Sequence, residues 1–134
     1  DLSALPDEEV VAEITGMRQI ATEQSITVVP FFRFPYGAPT KGTIALANDL
    51  GYIAVRWTVD SLGWQGRKDG RDASFVQKRV IEKAIPGGIA LMHLGSAKDG
   101  STFDADALPD IITTLERQGY RLVPLSELFH EATQ

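Results

Sequence analysis

Short apolar runs of strand length alternate with stretches of helical periodicity along the whole chain, and this alternation limits the available folds more than any other feature. The clearest run is Gly88-Ile89-Ala90-Leu91-Met92-His93-Leu94, opened by the Gly87-Gly88 turn and closed by the loop Gly95 to Gly100. Ile26 to Arg33 is a β-branched and aromatic run that reads as a buried strand despite Pro30, and it ends in the stiff turn Phe34-Pro35-Tyr36-Gly37. Tyr52 to Val59 is a second such run with Asp60 at its exit, and Tyr120 to Leu125 is the last.

Helical patterns fill the intervals. Pro6 and the acids Asp7, Glu8 and Glu9 suit a first helical turn, where unpaired N–H groups and the macrodipole favour both. Val10, Ile14, Met17 and Ile20 or Ala21 then mark an inward stripe over about residues 6–23. A short helix over about residues 40–50 turns Ile44, Ala45, Ala47 and Leu50 inward and stops at Gly51. Ser74-Phe75-Val76-Gln77 reads as a capping box opening a third helix, with Val76, Val80, Ile81 and Ala84 inside. Asp104 is placed to cap a fourth, with Leu108, Ile111, Ile112 and Leu115 as its stripe and Gly119 just past its end. Ser126-Glu127-Leu128-Phe129 starts a closing helix.

Regular alternation with short loops predicts an α/β fold of parallel strands joined by right-handed helical crossovers. Four strands make an open sheet or an incomplete barrel, not a closed one. The 134 residues, 43% of them hydrophobic, suit one domain spanning 1–134. A net charge of −5 with scattered basic residues argues against a nucleic-acid partner. The absence of cysteine removes disulfides and thiolate metal sites. No apolar run approaches the ~20 residues of a membrane span, and no leader pattern is visible. The chain opens on Asp1 rather than Met, so the expectation is a piece of something longer.

Parallel strands deliver their C-terminal ends to one rim, where such sheets place binding and catalytic groups. Arg33, Asp60 and His93 stand at three of those ends. His93 can exchange a proton near neutral pH, Asp60 can orient or charge it, and Arg33 can hold an anion. The same residues also fit a hydrogen-bonded core histidine and a structural ion pair.

Three segments carry a resemblance to a known family. Arg33-Phe34-Pro35-Tyr36-Gly37 resembles the Arg-x-Pro-Tyr motif of the NodB-homology polysaccharide deacetylases, carbohydrate esterase family four. Asp60-Ser61-Leu62-Gly63-Trp64 resembles that family's Asp-x-x-Asp-Trp motif, and Leu91-Met92-His93 its Leu-x-His motif. They occur in the family's order, and the resemblance covers essentially the whole chain. It implies a partial, distorted (β/α) barrel of NodB type, a secreted or cell-envelope location, and metal-dependent deacetylation of N-acetylated sugars in chitin- or peptidoglycan-like polysaccharide. His93 would be the general acid for the leaving amine, Arg33 the partner of a catalytic-base aspartate, and the Tyr36 N–H an oxyanion donor. Trp64 and Leu91 would wall the pocket for the acetate methyl.

Two departures stand beside that resemblance. The family's second aspartate, which would polarise the histidine, is here Gly63, so Asp60 or Gln65 would take its place. The family's first two motifs, an Asp-Asp pair and a His-x-x-x-His, have no counterpart, because His93 and His130 are the two histidines present. The divalent metal, zinc by the resemblance, would therefore take its ligands from a segment upstream of Asp1. The expected partners are a polysaccharide substrate and either a complementary N-terminal segment or a second copy pairing at the open sheet edge. The rival readings are a non-catalytic carbohydrate-binding or assembly module, and an inactive fragment needing the missing strands.

Overall fold

The computed structural model describes residues 1–131 and divides into two compact units, Asp1–Arg56 and Trp57–Gln134. In the first unit, helix α1 (Asp7–Glu23) has Asp7, Glu8 and Glu9 in its first turn, where the helix dipole favours anions. It buries Val10, Ile14 and Ala21, which recur at the helical period, while Met17 and Ile20 face solvent. Strand β1 (Phe31–Phe32) pairs in parallel with β2 (Ile53–Ala54), and between them runs α2 (Lys41–Asp49). Helix α2 opens on a reciprocal cap: Thr43 N–H donates to Thr40 Oγ1 at 3.1 Å, and Thr40 N–H to Thr43 Oγ1 at 2.9 Å. Ala47 is buried, whereas Ala45, expected inside, is exposed. Leu2, Val10, Ile14, Phe34, Ala47 and Tyr52 form this unit's core, with Phe32 set edge-on to Phe34 at 5.0 Å between ring centroids.

In the second unit, β3 (Val59–Asp60) pairs in parallel with β4 (Ala90–Leu91), in the register Val59–Ala90 and Asp60–Leu91. The crossover between them is α3 (Ala73–Glu82), which packs on α4 (Phe103–Arg117) through Val76, Val80, Ala107, Ile111 and Leu115. Helix α5 (Leu125–Glu131) follows.

Several expectations need correction. The run 52–59 is not one strand: it contributes β2 to one pair and leads into β3 of another. Residues 120–124 form no strand, and α5 already begins at Leu125. A strand is defined by its ladder to a neighbour, and the ladders formed among the described residues are β1 with β2 and β3 with β4. Helix α3 is capped by Asp72, whose Oδ1 accepts the Phe75 N–H at 2.8 Å, rather than by Ser74. Thr102 takes the cap position of α4, and Asp104 lies inside the first turn, turned away from capping. Leu108, expected in the stripe, is exposed.

Candidate functional site

The ladder of the second unit fixes its site. Thr58 N–H donates to Ile89 C=O at 2.8 Å and Ser61 N–H to Leu91 C=O at 3.0 Å, so Asp60 and Leu91 leave the pair side by side. Past β3 the chain tightens into a turn that uses Asp60 as its anchor. Asp60 Oδ1 accepts the Leu62 N–H at 2.9 Å, Oδ2 receives a long 3.4 Å contact from Trp64 Nε1, and its carbonyl accepts from Arg79 Nε at 2.7 Å. Leu62 adopts the left-handed conformation (φ 63°), strained for a branched side chain and compatible with a fixed functional turn. Trp64 is left half exposed, with its ring centroid 6.4 Å from that of His93.

His93 stands two residues beyond β4. Its backbone N–H donates to Asp104 Oδ2 at 2.6 Å, and its Nδ1 lies 3.5 Å from the same oxygen. The Asp104 side chain is only 5% exposed and that of His93 33%. Nδ1 itself is buried and makes no hydrogen bond, so the accessible surface of the ring belongs to its other atoms. Asp104 Oδ1 is likewise buried without a hydrogen-bond partner.

Sequence reasoning missed this carboxylate. The signal was present, since Asp104, Ala107, Ile111 and Leu115 fall at helical spacing and all four are buried. Extended back one turn, the apolar stripe of α4 ends in an acid. The side chain nearest Gly63 is that of Asp104, which was not among the expected replacements Asp60 and Gln65. A Cβ on Gly63 would lie 2.1 Å from Asp104 Oδ1 and 2.6 Å from its Cγ.

A second carboxylate ties two loops of this unit together. Asp99 Oδ2 accepts the Arg67 N–H at 2.7 Å, and its Oδ1 accepts the Ser101 N–H at 3.0 Å and the Ser101 hydroxyl at 2.6 Å. The Arg67 N–H first, and the Ser101 donors next, hold the Asp99 carboxyl down at about 2.

Arg33 and Tyr36 belong to the first unit. Arg33 follows β1 directly, and Tyr36 sits in the turn Pro35–Gly37. Tyr36 is 84% exposed and has φ 59°, a left-handed conformation costly for an aromatic residue and of the kind retained where a backbone group must be aimed. Within the second unit the structure thus brings together Asp60, Trp64, Leu91 and His93, and adds Asp104. Among the described residues no three His, Cys, Asp or Glu side chains converge, so these do not by themselves make up a metal site. Among them, too, no helix is long and apolar enough to cross a membrane.

No family model matches the chain. It is similar to the peptidoglycan-N-acetylglucosamine deacetylase PgdA of Listeria monocytogenes, with 32% identity over 127 residues, covering 95% of this chain and 25% of that protein. Among solved structures it is similar to the peptidoglycan N-acetylglucosamine deacetylase Bc1960 (TM-score 0.84, 25% identity), over 95% of this chain and 57% of that one. It is also similar to BA3943 of Bacillus anthracis, described as a CE4 family pseudoenzyme (TM-score 0.79, 27% identity), over 93% of this chain and 41% of that one. The chain thus spans between a quarter and somewhat over half the length of these proteins.

Proposed function

From a chain related over nearly its whole length to the deacetylases of carbohydrate esterase family four, we propose that its protein removes acetyl groups from the N-acetylated sugars of a chitin- or peptidoglycan-like polysaccharide. The observation that carries this reading is His93 at the exit of β4, with Nδ1 buried beside a carboxylate and the rest of its ring accessible. An imidazole held in this way is suited to deliver a proton outward at Nε2. In the proposed reaction that proton goes to the amine leaving the acetyl group, and His93 is the general acid. Arg33 would hold the carboxylate of a base supplied from outside this chain. The strained Tyr36 would present its N–H to the oxyanion, and Trp64 and Leu91 would wall the methyl pocket. Asp60 would serve by fixing the turn that carries Trp64, through the bonds it makes to Leu62 and Trp64.

The divalent metal that the resemblance implies, zinc in its commonest form, would take its ligands from outside this chain. The alternating parallel strands and helices are read as sectors of a distorted (β/α) barrel in the intact domain, and the polysaccharide substrate implies a secreted or envelope location. Likeness to a CE4 family pseudoenzyme favours one second reading, a carbohydrate-binding module without catalysis. Release of acetate from an N-acetylglucosamine oligomer by the full-length protein separates the two, because a binding module retains the glycan and releases none.

A further inference from the structure

We infer that Asp104 is the positioning residue of His93, and that Gly63 is the gap that admits its carboxylate. This rests on the reading of His93 as the proton donor. Asp104 occupies the first turn of α4, where free N–H groups and the helix dipole stabilise a negative charge. One of its oxygens already receives the His93 backbone N–H, which fixes the carboxylate against the residue whose ring it faces. The other, Oδ1, is buried and makes no hydrogen bond, a costly condition for an acceptor. His93 Nδ1 is buried and unbonded as well, 3.5 Å from Oδ2. Closing that 3.5 Å gap would give Nδ1 the acceptor it lacks, at Oδ2. With the Nδ1 proton directed at Asp104, Nε2 becomes the atom that exchanges protons with the accessible side, and the carboxylate stabilises the ring when it is charged.

The space is exclusive. A side chain at position 63 and the Asp104 carboxylate cannot coexist, since even a Cβ would meet Oδ1 at 2.1 Å. A carboxylate can reach this spot either from the turn after β3 or from α4, and this chain uses α4. The glycine and the aspartate therefore act as one unit.

The test uses the full-length protein, with acetate release from an N-acetylglucosamine oligomer as the assay and thermal melting as the check on folding. Asp104→Asn keeps the shape and an acceptor for the His93 N–H but removes the charge. It should lower kcat by roughly tenfold to a hundredfold, the usual worth of a group that orients a histidine, with KM within about twofold. In a His93→Gln background the same substitution should cost nothing further. Gly63→Asp alone overfills the site and should lose activity. Combined with Asp104→Ala it returns one carboxylate to the same place, and should regain at least about tenfold over Asp104→Ala alone. The inference is overturned by an Asp104→Asn kcat within twofold of wild type, by an equal loss in both histidine backgrounds, by failure of the pair to recover, or by an Asp104→Asn chain that no longer folds. Full activity in His93→Gln by itself would remove the donor assignment, and this inference with it, through an arm that does not touch Asp104.

Discussion

At the residue scale, the chain shows how little an acid's sequence neighbourhood says about its work. Asp60 was legible because it closes a β-branched run, and it does stand at a strand exit, yet its oxygens serve the turn that follows. Asp104 read as a helix cap because aspartate near a helix start usually is one. Its true placement depends on a glycine 41 positions earlier, and no local rule connects the two. Asp99 offers a sharper test of what one carboxylate contributes. Its carboxyl titrates at about 2 instead of 3.8, chiefly because the Arg67 N–H and the Ser101 donors prefer its charged form. A depressed value in the folded state means that the tie is fully present above 3.8 and is lost as pH falls through about 2. Hydrogen exchange at the Arg67 and Ser101 amides should therefore stay protected down to mildly acid pH and open over that window. Asp99→Ala should expose both amides at neutral pH and flatten the acid response; unchanged protection in the variant would show that the loops are held by something else.

At the element scale, helices were far more legible than strands. Helices α1, α2, α3 and α4 each begin and end within a few residues of their periodic patterns, because a helix satisfies its own backbone and needs only a stripe to dock. The strands shrink to two residues each, since pairing depends on what the neighbouring segment offers rather than on the run itself. That is why the β-prone stretch 120–124 joins no strand ladder among the described residues while the short Val59–Asp60 does. The packing of α3 on α4 gives a prediction with an internal control. Ile111, 2% exposed between the two helices, should cost about 2–5 kcal/mol when cut to alanine. Leu108, on the same helix but 41% exposed, should cost about 0.5 kcal/mol or less. Chemical denaturation of the two variants checks this, and equal losses would contradict the assignment of the α4 stripe.

At the scale of the whole molecule, each unit carries its own core, and the second also holds an apolar groove of about 520 Å³. Leu108, Ile112, Leu122 and Leu128 are among its lining, with Leu122 half exposed. Strand pairs of two residues and an open apolar groove are surfaces that invite another segment. The isolated 134-residue chain is accordingly expected to sediment heavier than a monomer or to capture a complementary stretch of its own protein, and to bind less than stoichiometric zinc, since three protein ligands are the usual minimum. A monodisperse monomer carrying one zinc per chain would contradict both expectations. The central claim is narrower than any of these: His93 gives the proton that releases the amine. Its most direct measurement is kcat for acetate release from an N-acetylglucosamine oligomer by the full-length protein with His93→Ala, alongside circular dichroism. The account predicts a fall of roughly 10²–10⁴-fold with an unchanged spectrum, the ordinary worth of general acid catalysis; a kcat within threefold of wild type would show that His93 is a packed core residue and that the chemistry lies elsewhere.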